Sequence, residues 1–242
     1  MANSMKNSFT GDIKEVHADK REKLGTLRVT SDGRKFRYAK AGGALAAGKM
    51  CVGAIAEANH INVSVAAAAI GDTVVSVTVG ATAVTENAYE DGFLQVNDGT
   101  GEGHAYLIAS NTACDASGVT LVTLAEPIRV ALVASATSEV SLIPNPWNGV
   151  THSATEESMA SGVAMVPVAS GAYCWVQTGG VGCCLMSGAP GVGAPLTLGA
   201  TAGALLAISA TIATTVTQPI VGTTLATAGV STEYKPVMLQ ID

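Results

Sequence analysis

The sequence predicts an all-β protein, with a small β-barrel or sandwich body and an extended N-terminal arm. Two observations favour this fold class. Short apolar segments alternate with polar residues along most of the chain, and turn residues separate these segments at short intervals, as in "NDGTGEG", "NPWNG" and "TGGVG". Gly and Asn in such stretches supply the positive φ angles that tight turns need. Many short strands at this spacing are typical of a sandwich or barrel and not of βαβ units.

The candidate strands extend from the N-terminal region to the end of the chain. They are Thr26–Thr30, Lys35–Ala39, Lys49–Ile55, Thr73–Val79, Phe93–Val96, Ala105–Ala109, Val119–Leu124, Glu139–Ile143, Val163–Val168, Ala172–Gln177, Cys183–Met186, Leu205–Ser209 and Val237–Ile241. Helix is scarce, and "SATEESMAS" (153–161) is one short candidate. The two prolines and the Asn-Gly pair of "IPNPWNGV" (143–150) predict an internal boundary, and Gly42–Gly48 predicts a second.

The composition favours a protein that associates with partners. Hydrophobic residues make up 48% of the 242 residues, but aromatic residues only 4% and charged residues only 13%, against about 25% charged in an ordinary soluble domain. A core of small side chains gains less from burial per residue, because the gain scales with apolar area. A sparsely charged surface favours association, so we expect a closed oligomer of this chain.

Charge is distributed very unevenly along the sequence. Residues 1–50 contain eleven of the thirteen basic residues and five acidic residues, a net charge of +6, whereas residues 51–242 carry −12. This split predicts a basic arm, residues 1–48, on an acidic β-body, residues 49–242. Such an arm suggests docking to an acidic surface, and a solvated, partly disordered tail is the alternative.

Charge alone could not hold the arm in place, because exposed ion pairs contribute only about 0–1 kcal/mol each. The apolar residues of the arm are therefore expected to bury as well, by strand addition to the edge of a partner's sheet. The residues assigned to partner binding are Lys20, Arg21, Lys23, Leu24, Leu27, Arg28, Val29, Arg34, Lys35, Phe36, Arg37 and Tyr38.

Targeting signals are not evident. The first twenty residues lack the apolar run of a secretory signal, and the most apolar stretch, "INVSVAAAAIGDTVVSVTVG", is interrupted by Asp72 and by glycine. We therefore expect no membrane span. The odd number of cysteines indicates free thiols in a reducing compartment.

Two stretches come close to functional motifs. "GALAAGKM" (43–50) has the spacing of a phosphate-binding loop, but Met50 occupies the position of the magnesium-binding hydroxyl, and no strand–loop–helix pattern surrounds it. The segment 86–108 contains five carboxylates and one histidine, which could bind a cation. Their spacing does not match a calcium-binding loop, and Asp98-Gly99 favours a hairpin turn. Cation binding by this segment is therefore kept as an alternative. No catalytic residue, cofactor or metal ligand is predicted.

The stretch "SGAYCWVQTGGVGCC" (170–184) contains three of the five cysteines. If Gly179 and Gly180 form a two-residue turn, Cys174 and Cys183 become diagonal neighbours on one face, and Cys184 lies on the other. Three thiolates then cannot converge on a metal, and no histidine lies nearby in the sequence. The cysteines are therefore expected to be reduced residues that pack as small apolar side chains.

Five stretches together resemble a family of tailed-bacteriophage virion proteins. They are "GRKFRYAKAGGALAAGKMCVGAI", "EDGFLQVNDGTGEGHAYLI", "TSEVSLIPNPWNGV", "SGAYCWVQTGGVG" and the ending "TEYKPVMLQID". The members are small β-rich proteins taken to be head decoration, or cement, proteins. The resemblance covers the chain from about Gly33 to the C-terminus, and its motifs are turns and strand edges.

The resemblance implies a structural virion protein without catalysis, made in the host cytoplasm and bound to the outer capsid surface, where it stabilises the shell. Its partners would be the major capsid protein and itself, as a homotrimer, with neither nucleic acid nor membrane. Shorter relatives imply that residues 58–158 are a β-rich insertion into a base built from 36–57 plus 159–242. The alternative is a phage tail or receptor-binding adhesin, although such a protein should expose aromatic residues, and only ten exist here.

Overall fold

The computed structural model describes residues 12–135, 137–154, 159–208, 219–226 and 230–242. Across these ranges the chain forms strands and one 3₁₀ turn, Ala58–His60, without an α-helix, so the all-β fold class is confirmed. The strands are β1 (Val16–His17), β2 (Leu27–Val29), β3 (Lys35–Ala41), β4 (Met50–Val52), β5 (Val63–Val65), β6 (Val74–Thr78), β7 (Phe93–Asp98), β8 (Ala105–Asn111), β9 (Val119–Leu124), β10 (Glu139–Ile143), β11 (Asn148–Val150), β12 (Ala160–Ala164), β13 (Tyr173–Leu185), β14 (Pro195–Leu198), β15 (Leu205–Ala207), β16 (Gly222–Thr224) and β17 (Tyr234–Gln240).

The chain divides into two compact units. The first combines the described residues up to Ala54 with those from Pro146 onward, and the second is Ile55–Asn145. The insertion expected over residues 58–158 corresponds to this second unit, but the unit ends earlier, at Asn145. The segment after Pro146 belongs to the first unit, because β11 pairs in parallel with β3 and Thr151 forms a bridge with Val52.

The second unit is a closed barrel of six strands in the order β10, β5, β6, β9, β8 and β7. Neighbouring strands pair antiparallel, and alternate residues point inward. In β6, Val75 and Val77 are buried while Val74 and Thr78 are exposed. Valine, leucine and isoleucine side chains fill the interior. Closure leaves no free sheet edge in this barrel.

The first unit contains an eleven-stranded sheet whose longest path runs β11, β3, β13, β17, β16, β14 and β15. The remaining strands attach to this path: β2 pairs with β3, β1 and β12 pair with β13, and β4 pairs with β12. Three apolar clusters pack against the sheet. One surrounds Met186 and Leu196, the second surrounds Val176, and the third contains Phe36 and Trp175.

β13 corrects the hairpin expected within 170–184. Tyr173–Leu185 is one continuous strand that pairs with β3 along its first half and with β17 along its second. The register shifts between Gln177 and Gly179, and Gly180 has a φ of 79°. A Cβ at Gly180 would lie 3.1 Å from the Arg34 Cα. The glycine pair therefore allows a bulge and a close approach within one strand, and does not reverse the chain.

The N-terminal segment is not a detached arm within residues 12–48. β2 and β3 form an antiparallel hairpin, and β3 pairs with β13 over Lys35 to Lys40. Apolar side chains explain this placement, since Phe36 and Tyr38 lie on the face of β3 that packs against Trp175. Residues 1–11 of the predicted arm lie outside the described residues.

Other expected strands agree with the structure to different degrees. Val119–Leu124 and Glu139–Ile143 match β9 and β10 residue for residue. The strand expected at Val163–Val168 lies earlier in the chain, as β12. Pro167 has no N–H to donate to a strand ladder, and Val168 forms only an isolated bridge. Residues 155–158 of the helix candidate 153–161 and the end of Leu205–Ser209 lie outside the described residues, and the last two residues of that candidate belong to β12 and not to a helix. Five short strands were not expected from the sequence: β1, β5, β11, β14 and β16.

Candidate interaction surfaces

The large apolar residues expected to bind a partner are buried within the first unit. Phe36 is fully buried, and Tyr38 is 1% exposed. The Tyr38 ring lies edge-on to Trp175 at 5.1 Å and stacks on Tyr173 at 5.9 Å. Its hydroxyl accepts a hydrogen bond from the backbone N–H of Arg21 at 3.0 Å. These aromatic residues therefore hold the N-terminal segment to the chain's own sheet.

Several of the predicted basic residues are also satisfied within the chain. Arg28 is buried with its guanidinium 5.4 Å from the centre of the Trp175 ring. Arg34 donates to Asp32 at 2.7 Å. Among the other assigned residues, Leu24 is buried, while Leu27, Val29 and Lys20 are half-buried. Arg21 and Lys23 are the exposed cations of the predicted set.

Asp242 joins two of the predicted basic residues. The Arg37 Nε atom donates to its carboxylate at 2.7 Å, and the Lys35 Nζ atom donates to its backbone oxygen at 3.1 Å. The Thr178 hydroxyl donates to the same carboxylate at 2.9 Å. Burial opposes ionisation, but the hydrogen bonds from Arg37 and Thr178 and the nearby positive charges hold the pKa of Asp242 below its usual value. The arrangement ties β17 to β3 and β13.

An apolar groove crosses the paired halves of β13 and β17, and we call it the β13–β17 groove. Its wall includes Met165, Val181, Cys183, Tyr234 and Pro236. Val181 is 51% exposed, and Tyr234 is 47% exposed. The groove consists of two cavities of about 430 and 360 Å³, and Cys183 and Met165 line both of them. This groove is a concave and mostly apolar surface of the first unit.

Gln177 stabilises the floor of the β13–β17 groove. It is fully buried, and its Nε2 atom donates to the carbonyls of Gly179 at 3.0 Å and Val181 at 2.9 Å. These bonds satisfy backbone oxygens at the bulge of β13. The Oε1 atom accepts no hydrogen bond from the described residues, and the groove does not expose it. The glutamine therefore supports the strand and does not present a polar group to a ligand.

The five cysteines are all free thiols. Cys51, Cys174 and Cys184 are buried, and Cys183 is exposed in the β13–β17 groove. Burial raises the pKa of Cys174 to about 12 and raises the pKa values of Cys51 and Cys184 as well. Because β13 is one strand, Cys174 and Cys183 are not cross-strand neighbours, which corrects that part of the sequence interpretation.

Cys51 and His152 bring a thiol and an imidazole close to each other in the first unit. The thiol Sγ lies 4.0 Å from the His152 Nδ1 atom. Both ring nitrogens are already occupied, because Nδ1 donates to the Met50 carbonyl at 2.8 Å and Nε2 accepts from the Ala46 N–H at 2.9 Å. Burial lowers the pKa of His152 and raises that of the thiol. The pair therefore connects backbone segments as two neutral groups.

The acidic segment of the barrel forms turns. β7 and β8 form an antiparallel pair joined by residues 99–104, in agreement with the hairpin indicated by Asp98-Gly99. The His104 Nδ1 atom bonds the Gly101 carbonyl at 2.9 Å, and its ring stacks on Tyr106. No group of three or more His, Cys, Asp or Glu side chains suited to a metal ion occurs in the part of the chain that the structure describes.

A second histidine of the barrel, His60, is buried and hydrogen-bonded within its own unit. His60 is 3% exposed, its Nε2 atom contacts the Thr82 carbonyl at 2.9 Å, and its Nδ1 atom bonds the Tyr89 hydroxyl. Burial raises the pKa of this tyrosine to about 12. The Glu57 carboxylate accepts from the Asn59 amide and the Thr82 hydroxyl, each at 3.2 Å. These bonds fix the 3₁₀ turn against the barrel.

The stretch that resembles a phosphate-binding loop has another role. β4 follows it directly, in place of the helix that a phosphate loop requires. Leu45 forms a bridge with Val168, and Gly48 has a φ of 72°. A Cβ at Gly48 would lie 2.6 Å from the Tyr234 ring. This glycine is therefore needed to seat the tyrosine of the β13–β17 groove.

Comparison with known proteins found no matching family, no similar curated protein and no similar solved structure. Among the described residues, no helix is both long enough and apolar enough to cross a membrane.

Proposed function

We propose that this protein is a structural virion protein that binds the outer surface of a phage capsid and stabilises the shell, as a decoration or cement protein without catalysis. The observation that carries the proposal is the adjacency of three of the stretches that resemble that family. Residues 33–55, 170–182 and 232–242 supply β3, β13 and β17, which are consecutive in one sheet. Stretches far apart in the sequence thus form one structural element that includes an exposed apolar groove.

The β13–β17 groove is proposed as the surface that contacts the major capsid protein. Val181, Tyr234 and Pro236 expose apolar area in a concave setting, which suits a protruding loop or strand of a partner. The first unit carries twelve basic and nine acidic residues, whereas the second carries one basic and ten acidic residues. The positive unit would therefore approach an acidic shell while the negative unit is repelled from it.

The remaining parts of the proposal follow from the sequence resemblance. The protein would associate with itself as a homotrimer on the capsid, without nucleic acid or membrane as a partner. The second candidate is a phage tail or receptor-binding adhesin, which would also be oligomeric and rich in strands. Of the larger aromatic side chains, Phe93 and Tyr234 are the markedly exposed ones among the described residues, which offers little surface for stacking sugars.

Binding to shells that lack this protein tests the proposal. Purified protein is mixed with such shells and pelleted, and the bound fraction is measured against concentration. We expect saturable binding that Tyr234→Asp weakens at least tenfold, because it places a charge in the apolar groove. The matched control is Val192→Asp, which changes an exposed apolar residue outside the groove. Absence of binding to heads, together with labelling of tail tips, would favour the adhesin.

A further inference from the structure

His152 holds a backbone segment that lines the β13–β17 groove. Its Nε2 atom accepts a hydrogen bond from the Ala46 N–H at 2.9 Å, and its Nδ1 atom donates to the Met50 carbonyl at 2.8 Å. Ala47 and Gly48 lie between these two partners in the sequence, and both line the groove. The imidazole therefore fixes the two ends of a short stretch of the groove wall.

Only a neutral imidazole can make both of these hydrogen bonds. The Met50 carbonyl is an acceptor, so the Nδ1 atom must carry the proton. The Ala46 N–H is a donor, so the Nε2 atom must be without one. Protonation of the ring places a second N–H against the Ala46 N–H, and this hydrogen bond is then lost. The two backbone partners therefore make the groove wall sensitive to the charge of one side chain.

The surroundings of the ring oppose its charged form. Among the described residues, the ionisable groups that face it are the Lys49 ammonium and the Cys51 thiol, whose Sγ atom lies 4.0 Å from Nδ1. The segment 199–204 contacts the ring through Gly203, where a Cβ would lie 3.2 Å from Nδ1, and it contains no ionisable side chain. Burial and the Lys49 charge lower the pKa of His152. The ring is therefore neutral at neutral pH.

We propose that His152 is a pH-sensitive switch for the wall of the β13–β17 groove. At neutral pH the ring holds Ala46, and in acid the protonated ring releases it. The Gly48 N–H still donates to the Ala164 carbonyl, and the Gly48 carbonyl still accepts from the Leu185 N–H, so the release is local. This inference rests on the proposed function, because it regulates the surface assigned to the major capsid protein. Binding to the capsid should therefore weaken in acid.

The pH range of the switch follows from the chemistry of the ring. Because the held form of His152 binds a proton less readily than a free histidine, release begins as the pH falls below about 6.5. Each further pH unit shifts the balance toward the released form by up to tenfold, until the pKa of the held ring is reached. At about pH 5.0 the shift is therefore at most about thirtyfold.

Hydrogen exchange of the purified full-length protein tests the switch without shells. Exchange of the Ala46 N–H is measured at about pH 7.5 and about pH 5.0, and each rate is divided by the intrinsic rate at that pH. We expect the protection of Ala46 to fall about three- to thirtyfold in acid, while the amides of β17 stay protected over the same period. Unchanged protection of Ala46, or protection that is lost only together with that of β17, would overturn the inference.

His152→Gln assigns the response to this ring. A glutamine amide can accept from the Ala46 N–H but does not titrate, so protection should be equal at the two pH values. His17→Gln is the matched control, because His17 belongs to the same unit and its side chain pairs with Glu15. This control should respond to acid as the unsubstituted protein does. An acid response that persists in His152→Gln would refute the assignment.

Binding to shells that lack this protein connects the switch with the groove. The unsubstituted protein should bind at least about threefold more weakly at the lower pH, whereas His152→Gln should bind equally at both. Equal binding at both pH values, despite release of Ala46, would refute the regulation of capsid binding. Absence of binding at both pH values would count against the proposed function, and the exchange experiment would still decide whether His152 is a switch.

Discussion

Tyr38→Ala tests whether the N-terminal segment belongs to the folded body. Tyr38 is 1% exposed and packs against Tyr173 and Trp175. Burying an aromatic side chain removes about 150–250 Å² from water, which at about 25 cal/mol per Å² corresponds to an upper limit of about 4–6 kcal/mol. Large-to-alanine changes at buried aromatic positions cost about 3–5 kcal/mol. We expect a loss in that range in the free energy of unfolding.

The hydroxyl contribution can be separated from the packing contribution. Tyr38→Phe removes only the hydrogen bond from the Arg21 N–H and should cost about 1 kcal/mol. Tyr234→Ala is the matched control, because this tyrosine is 47% exposed. Its loss should be about half of that at Tyr38, with an upper limit of about 2–3 kcal/mol, since about half as much apolar area is buried there.

Urea unfolding followed by tryptophan fluorescence is the appropriate measurement. Both tryptophans of the chain, Trp147 and Trp175, lie in the first unit, so the signal reports that unit without interference from the barrel. This matters because two units need not unfold in one transition. A loss below about 1 kcal/mol for Tyr38→Ala would refute the reasoning, because a segment that packs as described cannot lose this ring at so little cost.

Three further predictions concern titratable groups. The pKa of His152 is lowered, so protonation favours the unfolded state. The stability of the first unit should fall as the pH drops below about 6.5, and His152→Leu should remove this component of the pH profile. Asp242→Asn should cost about 1 kcal/mol at neutral pH; because the pKa of Asp242 is lowered, the difference should vanish as the pH falls through its folded-state value. In the native protein, a thiol reagent should modify the exposed Cys183 first. Cys51, Cys174 and Cys184 are buried and should react only after denaturant is added. Rapid labelling of these three thiols without denaturant would contradict their burial.

Local patterns predicted the barrel strands well. Alternation of apolar and polar residues is a property of each strand by itself, so β9 and β10 could be located to the residue. β13 could not, because Gly179 and Gly180 resemble a turn locally. What makes them part of one strand is pairing with β3 and with β17, which lie far away in the sequence on opposite sides. Short strands such as β5 and β16 lack enough residues to show a period.

Surface features were harder to predict than strands. The segregation of basic residues into the N-terminal segment is visible in the sequence, but its meaning depends on tertiary contacts. Trp175 covers the Arg28 guanidinium, and Asp242 forms an ion pair with Arg37. Both partners are distant from these arginines in the sequence, so the sequence alone suggests that the arginines are available to a partner.

A cryo-EM map of the native particle tests the proposed function most directly. We expect density for an all-β protein on the outside of the head, with the β13–β17 groove in contact with the major capsid protein. Particles made without the protein should lack that density. Heads without it, together with matching density at the tail tip, would contradict the account and favour the adhesin.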